Sequence, residues 1–169
     1  MANNVTWTIY EQIRSLLRAA TFETSTNTIR IEDDPSTPNV RRVYQSFDSI
    51  KFLGGRKSGI NTWILMRLGN MTGNANNPAV FENTNTIHVH MYRQVQDPEN
   101  VVQYMSEVET EVRQALIGAG YKLGFTGTNQ KYCRLWDIIV NREEEQLSAA
   151  DTTKVRTWDM VIVVQQDDS

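Results

Sequence analysis

Between Thr6 and Ala20 the apolar residues Ile9, Tyr10, Ile13, Leu16, Leu17 and Ala20 recur at steps of three and four, with Glu11, Gln12, Arg14, Ser15 and Arg18 between them. On a helix with 3.6 residues per turn this spacing gathers the apolar groups on one side, so it predicts an amphipathic helix. A second helix is announced by Asp97-Pro98. The Asp side chain can cap free backbone donors, and Pro at the first helical position forfeits no useful one. Its expected apolar stripe is Val101, Met105, Val108, Val112, Ala115 and Leu116, with Glu99, Gln103, Glu107, Glu111 and Gln114 mostly outward. The helix is expected to end near Ile117, where Gly118 and Gly120 supply a stop.

Elsewhere the period shortens to two. Thr86 to Val95 alternates Ile87, Val89 and Met91 against His88, His90 and Tyr92, the pattern of a strand whose side chains switch faces at every residue. Lys154 to Gln165 places Trp158, Met160, Ile162 and Val164 on one face and Val161 and Val163 on the other. Ile60 to Leu68 sets Trp63 and Leu65 against Ile64, Met66 and Leu68, and Lys131 to Asn141 is apolar at Cys133, Leu135 and Ile138-Ile139-Val140. Weaker strand candidates are Thr28 to Glu32, Val40 to Tyr44, Phe47 to Leu53 and Tyr121 to Phe125.

Between these segments lie breakers. Asp33-Asp34-Pro35-Ser36-Thr37-Pro38 interrupts the chain with two prolines. Gly69 to Asn85 holds Asn70, Asn74, Asn76, Asn77, Asn83 and Asn85, a composition that favours a long loop. Gly54 to Gly59 and Gly127-Thr128-Asn129 read as a loop and a turn, and the polar, acidic Arg142 to Thr153 as an exposed loop or a single helical turn. The order helix, strands, helix, strands predicts an α+β fold: an antiparallel sheet with two amphipathic helices packed mainly on one face, plus long loops. On the other face Val161, Val163 and parts of Trp63 and Leu65 then require cover, from a neighbouring subunit or from loops of the same chain.

The chain has 169 residues, of which 40% are hydrophobic and 22% charged, enough to build one packed core, so a single domain over 1–169 is expected. A net charge of -3 argues against a dedicated nucleic-acid binder, which needs a Lys/Arg excess. Cys133 is the sole cysteine, cannot form an intrachain disulfide, and reads as a small strand residue. The first residues lack the basic start and apolar run of a signal peptide, and no apolar run approaches the ~20 residues that cross a bilayer, so no membrane partner is expected.

Candidate chemistry is sparse. Gly54 to Gly59 has the span of a phosphate loop, but Ile60 and Asn61 stand where Lys and Ser/Thr must follow, which leaves Arg56 and Lys57 as a basic turn. His88 and His90 share a strand face at a usable metal-ligand spacing, yet no compact third or fourth ligand is evident, so no metal and no other cofactor is expected. Hydrolase signatures are missing, and any Ser or Cys nucleophile would have to recruit one of these two histidines. The acidic pairs fall in turn-like or terminal stretches, and the four tryptophans, Trp7, Trp63, Trp136 and Trp158, lack an interleaved basic groove, so they read as core or interface anchors. No catalytic residue is assigned.

The layout as a whole resembles the tail terminator and neck proteins of long-tailed bacteriophages. The resemblance is carried by the N-terminal helix, the strand Thr86 to Val95, the helix begun by Asp97-Pro98, and the closing strand Val155 to Val164 preceded by Ser148-Ala149-Ala150-Asp151. The chain departs from the smaller family members between Asp33 and Asn85, where it is longer and richer in loops. The resemblance implies a structural virion protein, not an enzyme. It would form a homo-oligomeric ring, a hexamer, that binds the end of the tail tube, stops its growth and meets the head connector, while DNA passes through unread. Such a protein is made in the host cytoplasm and resides in the tail or neck of the virion. Arg41, Arg42, Arg56 and Lys57, with Val161 and Val163, are the expected subunit or tube contacts. The rival readings are another neck component, such as a tail-completion or head-closure protein, a small metal-dependent enzyme using His88 and His90, and a nucleic-acid-binding module.

Overall fold

A computed structural model describes residues 5–20, 33–34, 36–45, 62–73, 82–94, 101–118, 133–145 and 155–167. They form α1 (Val5–Ala19), β1 (Asp33–Asp34), β2 (Thr37–Arg41), β3 (Val43–Tyr44), β4 (Thr62–Gly73), β5 (Glu82–Gln94), α2 (Val101–Gly118), β6 (Cys133–Glu145) and β7 (Val155–Asp167). The main sheet runs β3-β4-β5-β7-β6, and β1 pairs with β2 in a separate small ribbon. The α+β class and the two helices agree with the expectation from sequence.

The expected antiparallel sheet needs one correction. The four long strands pair antiparallel throughout, but β3 joins β4 in parallel, so the sheet is mixed. A parallel pair requires a crossover of about a dozen residues or more, and the chain between Tyr44 and Thr62 is long enough to provide it.

Register explains how the core assembles. Met66 lies opposite Val89, Val89 opposite Met160, and Met160 opposite Val140, giving an apolar row across four strands. A parallel row runs Leu68, Ile87, Ile162 and Ile138. Against this face pack Ile9, Tyr10, Ile13 and Leu17 of α1 and Met105, Val108, Val112 and Leu116 of α2, all buried in one cluster with the sheet residues. Most of each stripe read from the sequence is buried here, with Ala20 and Ala115 partly so; Leu16 stays outside the cluster and the Val101 side chain lies outside the described residues. Each large buried side chain contributes about 1.5–3 kcal/mol by leaving water.

Polar contacts pin the helices to this face. The Tyr10 hydroxyl donates to the Met66 carbonyl at 2.9 Å and Arg14 Nε to the Val43 carbonyl at 3.2 Å. Arg18 reaches Asp34, whose Oδ1 also accepts from the Ser36 amide and hydroxyl. These bonds from Ser36 hold the Asp34 carboxyl below its ordinary range. On the α2 side, buried Arg93 donates to Thr62 at 3.3 Å and lies 4.3 Å from the Tyr104 ring centroid.

Several boundaries differ from the sequence pattern. The described parts of Gly69 to Asn85 are strand: β4 continues to Gly73 and β5 begins at Glu82, with Thr72 opposite Thr84 and Met71 opposite Asn85, while residues 74–81 lie outside the described residues. A register shift between Leu68 and Met71 absorbs Gly69 and Asn70, so the composition that suggests a loop instead marks a bulge. Arg142 to Glu145 continues β6 rather than looping, because it pairs with Val155 to Trp158. The expected strand Val40 to Tyr44 splits at Arg42 between two sheets, and Asp33-Asp34, expected as a break, pairs with β2. The candidates Thr28–Glu32, Phe47–Leu53 and Tyr121–Phe125, the Gly54–Gly59 loop and the turn at Gly127 lie outside the described residues.

Candidate functional site

The sheet face turned away from the helices carries the candidate site. On this face Leu65, His90, Asp159 and Asn141 form one cross-strand row, and Arg67, His88, Val161 and Ile139 form the next. His88 and His90 share the face because they are two residues apart on β5, and Asp159 joins them because β7 pairs with β5 in the register that sets it opposite His90.

The Asp159 carboxylate lies between the two rings. Its Oδ2 is 2.9 Å from His88 Nδ1, and its Oδ1 is 3.3 Å from His90 Nδ1. The second approach is an ion-pair distance without hydrogen-bond alignment, which leaves Asp159 Oδ1 buried and unbonded. His90 Nε2 is likewise buried with no hydrogen-bond partner. The imidazoles stack with centroids 5.7 Å apart and planes 16° from parallel. The His90 side chain is 11% exposed, those of His88 and Asp159 22% each, so solvent reaches only the His88 and Asp159 side of a mostly buried cluster.

Burial pushes the His90 pKa below its ordinary value; Asp159 opposes that shift, while Arg67 and His88 add to it. The bulge in β4 makes room for the His88 ring. A Cβ on Gly69 would stand 2.6 Å from His88 Cδ2 and Nε2 and would also strike Thr86. The Thr86 hydroxyl, the alcohol nearest to His88 along β5, donates to the Asn70 carbonyl at 2.8 Å.

No family model matches the chain, and no curated protein shows significant similarity to it. The functional reading therefore rests on the residues themselves.

Two nitrogen ligands and a carboxylate with donor atoms within 4.8 Å of one another are a set able to hold a transition metal. The sequence pattern pointed to His88 and His90 but missed Asp159, which is 71 residues beyond His88. A signal was present: Asp159 interrupts the otherwise apolar stretch from Trp158 to Val164, on the same strand face as Val161 and Val163.

Four of the expected contact residues are among the described ones, two on β7 and two near the β3 edge. Val161 and Val163 are half-buried on this face, with Ile139 beside Val161 at 46% exposure. Trp63 and Leu65, expected to need cover, are already buried, flanked in register by Tyr92 and Tyr44. Arg41 ends β2, and Arg42 stands 4.7 Å over the Tyr44 ring beside β3. β3 and β7 are three strand spacings apart in the sheet order, about 14 Å. Arg56 and Lys57 lie outside the described residues, as do the side chains of Cys133 and Trp136.

Proposed function

We propose that this chain is a structural assembly protein of a long-tailed bacteriophage, a tail terminator whose copies form a ring on the end of the tail tube and meet the head connector. The observation that carries this reading is β6. It is a 13-residue strand at the end of the sheet order, and among the described residues it pairs only with β7. A long edge strand is a template for pairing with another chain, and the charge that β6 carries at Glu143-Glu144-Glu145 restricts that partner to an edge of complementary charge. Ile139, on the face away from the helices, adds exposed apolar surface beside that edge.

The two ends of the sheet also differ in charge along the sequence. β6 closes on Glu143-Glu144-Glu145, whereas Arg41 and Arg42 flank the β3 end. Unlike edges that complement one another favour head-to-tail contacts, and head-to-tail contacts generate a closed ring when the rotation per subunit closes. Six copies, as in the family that the layout resembles, would leave a central passage for DNA without requiring contacts to bases. The expected partners are further copies of this chain, the tail tube protein and the head connector or head-closure protein, and the expected location is the neck of the virion.

Electron microscopy of the purified protein, alone and mixed with tail tubes, tests this reading. Rings seated on tube ends are the expected outcome. A double charge reversal, Arg41→Glu with Arg42→Glu, is expected to shift rings toward protomers in sedimentation. Protein that stays monomeric at high concentration and ignores both tubes and connectors would overturn the assignment.

A further inference from the structure

We infer that His88, His90 and Asp159 form a site for one zinc ion that cross-links the two central strands of the sheet. This inference does not depend on the ring, and it departs from the sequence expectation of no metal, which was made with only two of the three ligands in view.

The donor set comes first. Two imidazoles and one carboxylate are borderline ligands that suit zinc, whereas calcium and magnesium prefer shells made wholly of oxygen. A His-x-His pair on one strand face with an acid on the neighbouring strand supplies three donors from the most regular part of the fold, the fully paired β5–β7 ladder. Strand-borne ligands are held by the ladder on both sides and do not need a loop to close over the ion.

The second argument comes from unsatisfied atoms. Buried polar atoms nearly always have a partner, and each exception calls for an explanation. Here Asp159 Oδ1 and His90 Nε2, both in this cluster, are buried without one. The carboxylate accepts from His88 Nδ1 and stands 3.3 Å from His90 Nδ1 without a well-aligned bond. An ion held by the carboxylate and by one nitrogen of each ring gives Asp159 Oδ1 the partner it lacks, while each neutral ring keeps its proton on the other nitrogen.

Geometry permits it. Zinc bonds of about 2.0–2.2 Å place tetrahedral donors about 3.4 Å apart. The three donors lie within 4.8 Å of one another, so small side-chain rotations bring them to one ion. Gly69, with no Cβ, lets the His88 ring lie directly against the β4 backbone, which holds it beside Asp159. The exposure of His88 and Asp159 gives the ion an entry path and leaves its fourth position to water. Arg67, opposite His88 in register, is the one nearby positive charge in these rows, and it opposes binding; the carboxylate offsets it.

The test is calorimetric titration of chelator-treated, full-length protein with zinc chloride, with calcium and magnesium chloride as controls. The expected result is one zinc per chain with a micromolar or tighter dissociation constant and no calcium or magnesium binding. Cobalt, replacing zinc, is expected to give the intense visible absorption of a four-coordinate site with nitrogen ligands. Asp159→Asn and His88→Gln, both at partly exposed side chains, are each expected to weaken zinc binding about tenfold or more, with circular dichroism checking that each variant folds. Absence of saturable zinc binding to the folded wild-type protein would overturn the inference. So would folded Asp159→Asn protein that binds zinc as tightly as the wild type. Ring formation is scored separately, so failure here leaves the assembly reading untouched.

Discussion

Arg142 of β6 grips Glu109 of α2 with three charge-assisted hydrogen bonds of 3.0–3.1 Å, from Nε and Nη2 to both carboxylate oxygens. Glu109 is only 3% exposed, and the same guanidinium lies 5.1 Å from the Trp158 ring centroid. One side chain thus joins the second helix to the edge of the sheet. Arg113 also approaches Glu109 at 3.6 Å, but from one turn along the same helix.

Arg142→Ala is therefore expected to destabilise the fold by about 1–2 kcal/mol, because it leaves a buried carboxylate with only the more distant Arg113. The Arg142 side chain is 57% exposed, which keeps the value below that of a fully buried pair. Urea denaturation of the single and double variants at Glu109 and Arg142 measures it. A double-mutant cycle with no coupling would show that the bonds hold nothing together.

That pair also shows where legibility from sequence ended. The apolar faces of both helices and the alternating cores of β5 and β7 could be read, because local periodicity and burial agree there. Arg142 to Glu145 could not be recognised as strand, since its four polar residues are ordered by pairing with Val155 to Trp158 and by Glu109 on α2, none of which is local. Asn83 and Asn85 misled for the same reason: the ladder between β4 and β5 overrides their turn preference. Two of the three residues of the His-Asp cluster were legible as a shared strand face, and the third depended on a register that no single strand encodes.

Tyr10 supplies the second prediction. Burial, with a smaller contribution from Glu11 and against the pull of Arg14, pushes its pKa from 10.0 up to about 12. The folded state holds this proton more tightly than the unfolded chain does. The stabilisation is therefore complete below pH 10 and is lost as the pH rises from there toward about 12. Tyr10→Phe, which removes the bond to Met66, is expected to cost about 1 kcal/mol near neutral pH. The stability gap between wild type and variant should shrink across that alkaline window. A gap that stays constant in urea titrations through the window would contradict the assignment, as would tyrosinate absorbance showing all tyrosines ionising together.

Gly69 supplies the third. Because a Cβ at this position meets the His88 ring and the Thr86 hydroxyl, Gly69→Ala is expected to displace His88 from Asp159. The expected cost is about 1–3 kcal/mol, the range of overpacking at a site that yields only partly. The ring proton signals of His88 in nuclear magnetic resonance should move while those of the α1 core remain in place. Unchanged His88 signals and unchanged thermal stability would mean that the bulge does not confine the ring.

Ile138 and Ile139 are neighbours in sequence with opposite assignments, and the contrast separates folding from assembly. Ile138 sits in the row with Ile162 and packs against the core beneath the helices, whereas Ile139 points to the other face beside Val161 and is 46% exposed. Ile138→Ala is expected to lower the stability of the dilute protein by about 1–2 kcal/mol, since it opens space in a partly buried site. Ile139→Ala should change it by no more than about 0.5 kcal/mol. If β6 and this face meet a second copy of the chain, Ile139→Asp must weaken association in sedimentation while the denaturation midpoint of the separated protomer stays where it was. An Ile139→Asp protein that assembles like the wild type would place the subunit contact elsewhere on the molecule.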